Sequence, residues 1–324
     1  MAVPSAPVLL STSSVYPEPT AVAFELAAKL GYDGVEVMVW TDPVSQDPQT
    51  LATLVQHYGV PVGSVHAPCL LMTQRVWSKD PWERLRRAAE MAVRLAADTV
   101  VVHPPFAWQR GYGRVFPTGL ARLKERYPGL RFAVENMYPV KMAKRGFVPY
   151  APHWDPTTPG YDHYTLDLSH CAASGSDAML LADRMGDGLT HVHLGDGVGP
   201  GRDEHAVPGR GGQPCADLLR RMVSVGRPFS VAVEVSTRKS GSRSVREADL
   251  AESLAFARRH LAPVVSASLV VSPRQRLRVC GRGGRQRGNG WRIVRSRTGG
   301  SCWTRCPGRR FRSGSRRTHR TGLP

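Results

Sequence analysis

Along residues 8–261, short β-branched runs alternate with longer stretches whose apolar positions recur at helical spacing. That alternation predicts βα units and a parallel sheet, hence an α/β fold. Strands are predicted at 8–13 (VLLSTS), 34–38 (GVEVM), 62–66 (VGSVH), 98–103 (DTVVVH), 131–135 (RFAVE), 164–168 (YTLDL), 189–194 (LTHVHL) and 230–235 (SVAVEV). Helices are predicted at 20–30, 48–58, 81–97, 117–127, 176–185, 213–226 and 245–261. In the third of these, Pro81 after Asp80 suits a first helical position, and Ala88, Met91, Ala92 and Leu95 form one apolar stripe. Eight strands with a helix closing the last unit predict a (β/α)8 barrel. An open doubly wound sheet is the alternative, but no glycine fingerprint follows the first strand.

Two connections break the rhythm. Residues 136–163 hold five prolines together with Tyr138, Phe147, Tyr150, Trp154 and Tyr161, and residues 195–212 are rich in glycine. Both follow strands, so both belong over the face where barrels carry chemistry. After Pro263 the pattern stops. Residues 264–324 contain 16 Arg and no Asp or Glu. This composition fits a disordered nucleic-acid-binding tail or a read-through or frameshifted stretch of G+C-rich coding sequence, and the second reading is preferred.

The tail also accounts for the charge. The chain carries a formal +18, but residues 1–263 hold 28 basic against 26 acidic side chains. The body is therefore close to neutral, and the overall basicity is no argument that it grips nucleic acid. Cys69, Cys171 and Cys215 in the body are too far apart to read as a disulfide framework, and Cys280, Cys302 and Cys306 in the tail form no zinc pattern. The first residues lack the basic leader of a signal peptide and no apolar run is long enough to span a bilayer, so a cytoplasmic protein without membrane contact is expected.

Polar residues fall in an ordered way on this frame. His66, His103, Glu135, Asp167, His193 and Glu234 each stand at the C-terminal end of a different predicted strand. The parity that turns them inward also turns Ser64, Val101, Ala133, Thr165, His191 and Ala232 inward, and most of these are small. In a barrel all six strand ends converge on one axis. A single inward histidine is ordinarily a hydrogen-bonded core residue, but three carboxylates buried together repel unless a cation compensates them. Mixed imidazole and carboxylate donors suit Zn2+ or Mn2+. The segments Asp167 to His170 (DLSH) and Asp203 to Gly211 (DEHAVPGRG) add His170, Asp203 and His205 as candidates.

The pieces SVHAP, VVHPP, VEN, DLSH, HVHLGD, DEHAVPGRG and VEV, in this order over residues 8–261, resemble the xylose-isomerase-like TIM barrel superfamily. That superfamily includes sugar phosphate isomerases and epimerases and the apurinic endonucleases of family 2. The isomerase resemblance implies one metal held by Glu135, Asp167, His193 and Glu234, with Glu135 and Glu234 as catalytic residues moving protons on opposite faces of the substrate. The nuclease resemblance implies up to three Zn2+, with one further site at His66, His103 and Glu135 and another at His170, Asp203 and His205.

Other residues incline toward the sugar enzymes. Residues 31–36 (GYDGVE) resemble the isomerase pattern, which implies that Glu36 belongs to the substrate pocket. Asn136 and Arg210 complete the expected substrate contacts. Two positions depart from both branches: Met137 stands where His is commoner, and Arg210 replaces an acid. The expectation is a metal-dependent isomerase or epimerase of a small sugar-like substrate. The alternatives are a zinc-dependent apurinic-site endonuclease, in which nucleic acid is the partner, and a barrel without catalysis.

Overall fold

The computed structural model describes residues 6–142 and 145–262; the tail expected at 264–324 lies outside the described residues. In chain order the elements are β1 (Val8–Ser11), α1 (Thr20–Leu30), β2 (Gly34–Met38), α2 (Pro43–Gln46), α3 (Pro48–Tyr58), β3 (Val62–His66), α4 (Pro81–Arg94), β4 (Thr99–Val102) and α5 (Arg110–Arg126). There follow β5 (Arg131–Glu135), β6 (Val140–Met142), β7 (Arg145–Phe147), β8 (His163–Asp167), α6 (Leu168–Ser174), α7 (Ala178–Met185), β9 (Leu189–Leu194), α8 (Cys215–Val225), β10 (Ser230–Val233) and α9 (Arg243–Leu261). Eight strands pair in parallel in the closed order β1-β10-β9-β8-β5-β4-β3-β2, which is the (β/α)8 barrel expected. β6 and β7 form a separate antiparallel hairpin within the proline-rich connection.

Strand parity divides the buried residues into two layers. Val35, Val37, Val65, Val100, Val102, Val134, Leu166, Val192, Val231 and Val233 face outward and pack with helix residues such as Phe24, Leu26, Leu85, Met91, Leu181 and Leu218 in one continuous core. Inward residues fill the barrel itself. Leu9 plugs its lower end, and a Cβ on Gly63 would lie 2.7 Å from the Leu9 side chain, so glycine makes the room that leucine fills. Helix starts follow from short acidic side chains: Asp47, Asp80 and Asp177 each accept a hydrogen bond from the first turn of α3, α4 and α7, with Pro48 and Pro81 in the first turn of theirs. The seam between the first and last βα units is tied by the ion pair of Arg246 with Glu18 and by the Tyr32 hydroxyl, which donates to the Leu250 carbonyl at 2.8 Å.

The short helix α2 and the β6–β7 hairpin have no counterpart in the predicted elements, and three further differences concern the mouth and its supports. α5 begins at Arg110, not 117, because Pro117 sits inside the helix and does not open it. α6 was not foreseen, since its seven residues begin with the DLSH segment that reads as chemistry. The first strand stops at Ser11, and Thr12–Val15 form a 3-10 turn over the mouth of the barrel. Among the described residues no helix is long and apolar enough to cross a membrane.

Candidate metal centre and active site

The strand ends open into a cavity of about 830 Å3, lined at its floor by His66, His103, Glu135, His170, Asp203, His205 and Glu234. Asp167 and His193 are fully buried against that floor. The structure thus brings all nine proposed ligands together. His193 lies at the centre: its Nδ1 is 3.1 Å from Glu135 Oε1, 3.0 Å from Glu234 Oε2 and 3.5 Å from Asp167 Oδ2. To one side, His103 Nε2 is 2.9 Å and His66 Nε2 3.3 Å from Glu135 Oε2, and the two imidazole nitrogens are 3.1 Å apart. To the other, Asp203 Oδ2 lies 3.1 Å from His205 Nε2 and 3.5 Å from His170 Nε2.

Local structure explains the aim of each side chain. Asp167 is the N-cap of α6, and its Oδ1 accepts from the His170 amide at 2.6 Å, which leaves Oδ2 facing His193. Asn136 holds the Asp167 backbone from both sides, donating to its carbonyl at 3.0 Å and accepting from its amide at 2.8 Å. Ser13, in the turn after β1, donates to Glu234 Oε1 at 3.0 Å. Ser169 donates to Asp203 Oδ1 at 2.7 Å and accepts from the His205 amide at 2.8 Å. His205 itself is held at φ 45°, a left-handed conformation that a residue with a side chain adopts only when its surroundings impose it.

The electrostatics match a cation site. Burial pushes the Glu135 carboxyl up, but the adjoining His193 and His103 outweigh it and hold it well below the usual range. Burial opposes a charge on His193, yet Glu36, Glu135 and Glu234 raise it well above an ordinary histidine. His205 is raised to about 10, with burial opposing and Asp203 prevailing. Protons alone satisfy this cluster incompletely: Asp167 Oδ2 and His103 Nδ1 are buried without a hydrogen-bond partner among the described residues. The donor set and the orphaned carboxylate oxygen fit a divalent ion, and three groups of residues at coordinating distance recur here: His66, His103 and Glu135; Glu135, Asp167 and His193; Asp167, His170 and His205.

One family model, described as the xylose isomerase-like TIM barrel, matches residues 24–260. The chain belongs to the xylose isomerase-like TIM barrel family. Among curated relatives, an uncharacterised protein of Mycobacterium bovis is 48% identical over 277 residues, covering 80% of this chain and 99% of its own. One from Mycobacterium leprae is 48% identical over 271 residues, covering 78% and 96%. Solved structures share the barrel fold at low identity. A D-tagatose 3-epimerase-like protein has a TM-score of 0.59 at 22% identity, over 79% of this chain and all of that one. An AP endonuclease of family 2 from Brucella melitensis has 0.55 at 17%, over 76% and 96%.

Three residues expected to touch substrate in this xylose isomerase-like barrel are placed elsewhere. Glu36 is fully buried one layer below the floor, bonded to Ser64 and His191. Asn136 is also fully buried and is occupied with Asp167. Arg210 turns to α9, where it pairs with Asp249 at 2.8 Å and with Glu252 at 2.5 Å. The cation that does line the cavity is Arg238, exposed, with its guanidinium 5.4 Å from the centre of the Tyr16 ring. Nothing in the sequence around Arg238 marked it, and Ser13 was hidden in a run of small polar residues that reads as strand.

Proposed function

We propose that this chain is a metal-dependent isomerase or epimerase acting on a sugar-like polyol. The observation that carries the reading is the pair Glu135 and Glu234, which meet the same ring nitrogen of His193 at 3.1 and 3.0 Å from strands separated by β8 and β9. Glu135, Asp167, His193 and Glu234 would hold the ion; bound there, it supplies Lewis-acid polarisation of a substrate carbonyl and its neighbouring hydroxyl. Their histidine neighbours favour the ionised form of both carboxylates, so either is equipped to take a proton as a base, while the other, once it has taken up a proton from solvent, would deliver that proton to the opposite face. Ser13 fixes Glu234 through Oε1. Tyr16, Trp40 and Met72 line the same cavity together with Arg238, which suits the remainder of a polyol or of one that carries an anionic group. The printed names of structures sharing the fold, D-tagatose 3-epimerase-like protein and D-psicose 3-epimerase, are consistent with this class.

A second reading, a zinc-dependent apurinic-site endonuclease, is favoured by the two additional ligand groups around His66 and His103 and around His170, Asp203 and His205. Against it stands the mouth, where Arg238 is the lone Arg or Lys among the lining residues, beside Glu18 and Asp42. Gripping a polyphosphate backbone calls for several cations. Elemental analysis of the purified chain together with a panel of ketoses, aldoses and an abasic-site oligonucleotide separates the two. About one Mn2+ or Zn2+ per chain with sugar turnover supports the isomerase; about three Zn2+ with strand cleavage supports the nuclease.

A further inference from the structure

Each histidine of a metal centre must present one bare ring nitrogen, and the proton on its other nitrogen needs an acceptor that fixes it there. Three of the histidines meet this need on the main chain. His66 Nδ1 lies 3.0 Å from the Ala67 carbonyl, His170 Nδ1 2.8 Å from that of Asn136 and His205 Nδ1 3.1 Å from that of Glu234. In each the Nε2 is thereby turned to the cluster.

His193 is reversed. Its Nδ1 faces Glu135, Asp167 and Glu234, and its Nε2 points into the barrel, where it meets Glu36 Oε1 at 3.1 Å. The two atoms stand at bonding distance without the alignment of a full hydrogen bond, and neither has another partner among the described residues. Glu36 is itself held in place. Its Oε2 accepts from Ser64 Oγ at 2.7 Å and lies 2.9 Å from His191 Nε2, while His191 Nδ1 lies 2.7 Å from Ser230 Oγ. A carboxylate with no solvent exposure is costly unless its lone pairs are used, and the one group offered to Oε1 is the His193 ring.

We propose that Glu36 is a positioning residue for the metal centre: its Oε1 accepts from the Nε2–H of His193 and so fixes the tautomer and ring angle that leave Nδ1 bare toward Glu135, Asp167 and Glu234. This rests on the reading of the cluster as a metal centre. Glu36 does not line the cavity; it acts through His193, as the Ala67, Asn136 and Glu234 carbonyls act through the His66, His170 and His205 rings, while His103 Nδ1 has no such partner among the described residues. The rival is that Glu36, His191 and His193 hold an ion of their own, since they too converge at coordinating distance.

The test is a double-mutant cycle on the full chain, with Zn2+ affinity and stoichiometry read by competition with a chromophoric chelator. Glu36→Gln keeps the length but loses the charge, and a lost outer partner of a ligating histidine typically weakens the metal about 10–100-fold. That loss is expected in the wild-type background and is expected to vanish when His193→Ala is already present. An unchanged affinity in Glu36→Gln overturns the proposal, as does an equal loss with and without His193, which would mark a general structural effect. Loss of one whole equivalent of Zn2+ with the remaining affinity intact makes Glu36 a ligand and also overturns it. Crystal structures of the metal-free wild type and Glu36→Gln give a readout independent of binding. The His193 ring is expected to turn or disorder in the variant, and an unmoved ring counts against the proposal. Failure of the wild type to bind Zn2+ sinks the metal-centre reading instead and leaves the ring comparison to decide on Glu36.

Discussion

Glutamine at position 135 or 234 keeps the side-chain size and one oxygen while removing charge and basicity. Either change, Glu135→Gln or Glu234→Gln, is expected to lower kcat by about 10²–10⁴-fold with the circular dichroism spectrum preserved. Full turnover of any substrate by Glu135→Gln would refute the proton-transfer role. His170→Ala, Asp203→Asn and His205→Ala probe the other side of the floor: a sugar isomerase loses mainly binding, whereas a nuclease loses most of its rate. That the nine polar residues gather at one mouth was legible because a strand end in a barrel fixes both direction and height at once. Glu36 shows the limit of that rule. Its inward parity is right, but it pairs with Ser64, one layer below His66, and parity does not encode depth. Arg210 shows another limit, since its partners Asp249 and Glu252 belong to α9 and leave no mark on the local pattern.

The loop after β9 shows how an element carries the third ligand group. Fully buried Asp196 bends this loop by accepting from the amides of Gly197 at 2.8 Å, Gly209 at 2.9 Å, Gly211 at 3.1 Å and Gln213 at 2.9 Å. A Cβ at Gly211 would stand 2.3 Å from Asp196 Oδ1, so the glycine is dictated by close approach. Asp196→Ala leaves four loop amides without their acceptor and is expected to cost about 3 kcal/mol, a fall in Tm of roughly 6–12 °C in calorimetry. It should also release the left-handed His205 and weaken Zn2+ at Asp203. An unchanged Tm would show that the loop is held by other means. The glycines of this loop were visible in the sequence, but the carboxylate that organises them was read only as part of a motif. α6 and the β6–β7 hairpin escaped notice because elements of seven and three residues are too short to establish a period.

At the scale of the whole molecule, an ion that binds only the folded barrel adds to its stability by mass action. With free Zn2+ at 100 times Kd the gain is about 2.7 kcal/mol, so a strong chelator is expected to lower Tm by roughly 5–10 °C. The gap should depend on pH. His205 is raised to about 10 in the cation-free cluster, against about 6.5 unfolded. Its contribution to the cation-free fold is therefore complete below pH 6.5 and disappears as pH rises through 10. The Tm difference between loaded and chelated protein is thus expected to widen from pH 6.5 to 10, and a constant gap would contradict the assignment. A chain ending at Pro263 is expected to fold and retain its metal, because α9 closes the last unit at Leu261.

The closed order of strands has a kinetic corollary. The ligands run from His66 on β3 to Glu234 just past β10, and the ring seals only when β10 pairs with β1. The set around His193 comes from the four neighbouring strands β5, β8, β9 and β10, so an ion gains its full set only when β10, the last strand of the chain, has docked. Zn2+ should therefore leave the refolding limb of a chevron nearly unmoved and slow the unfolding limb. A bound ion would act as a latch on a finished ring, setting how long the protein stays folded and not how fast it gets there.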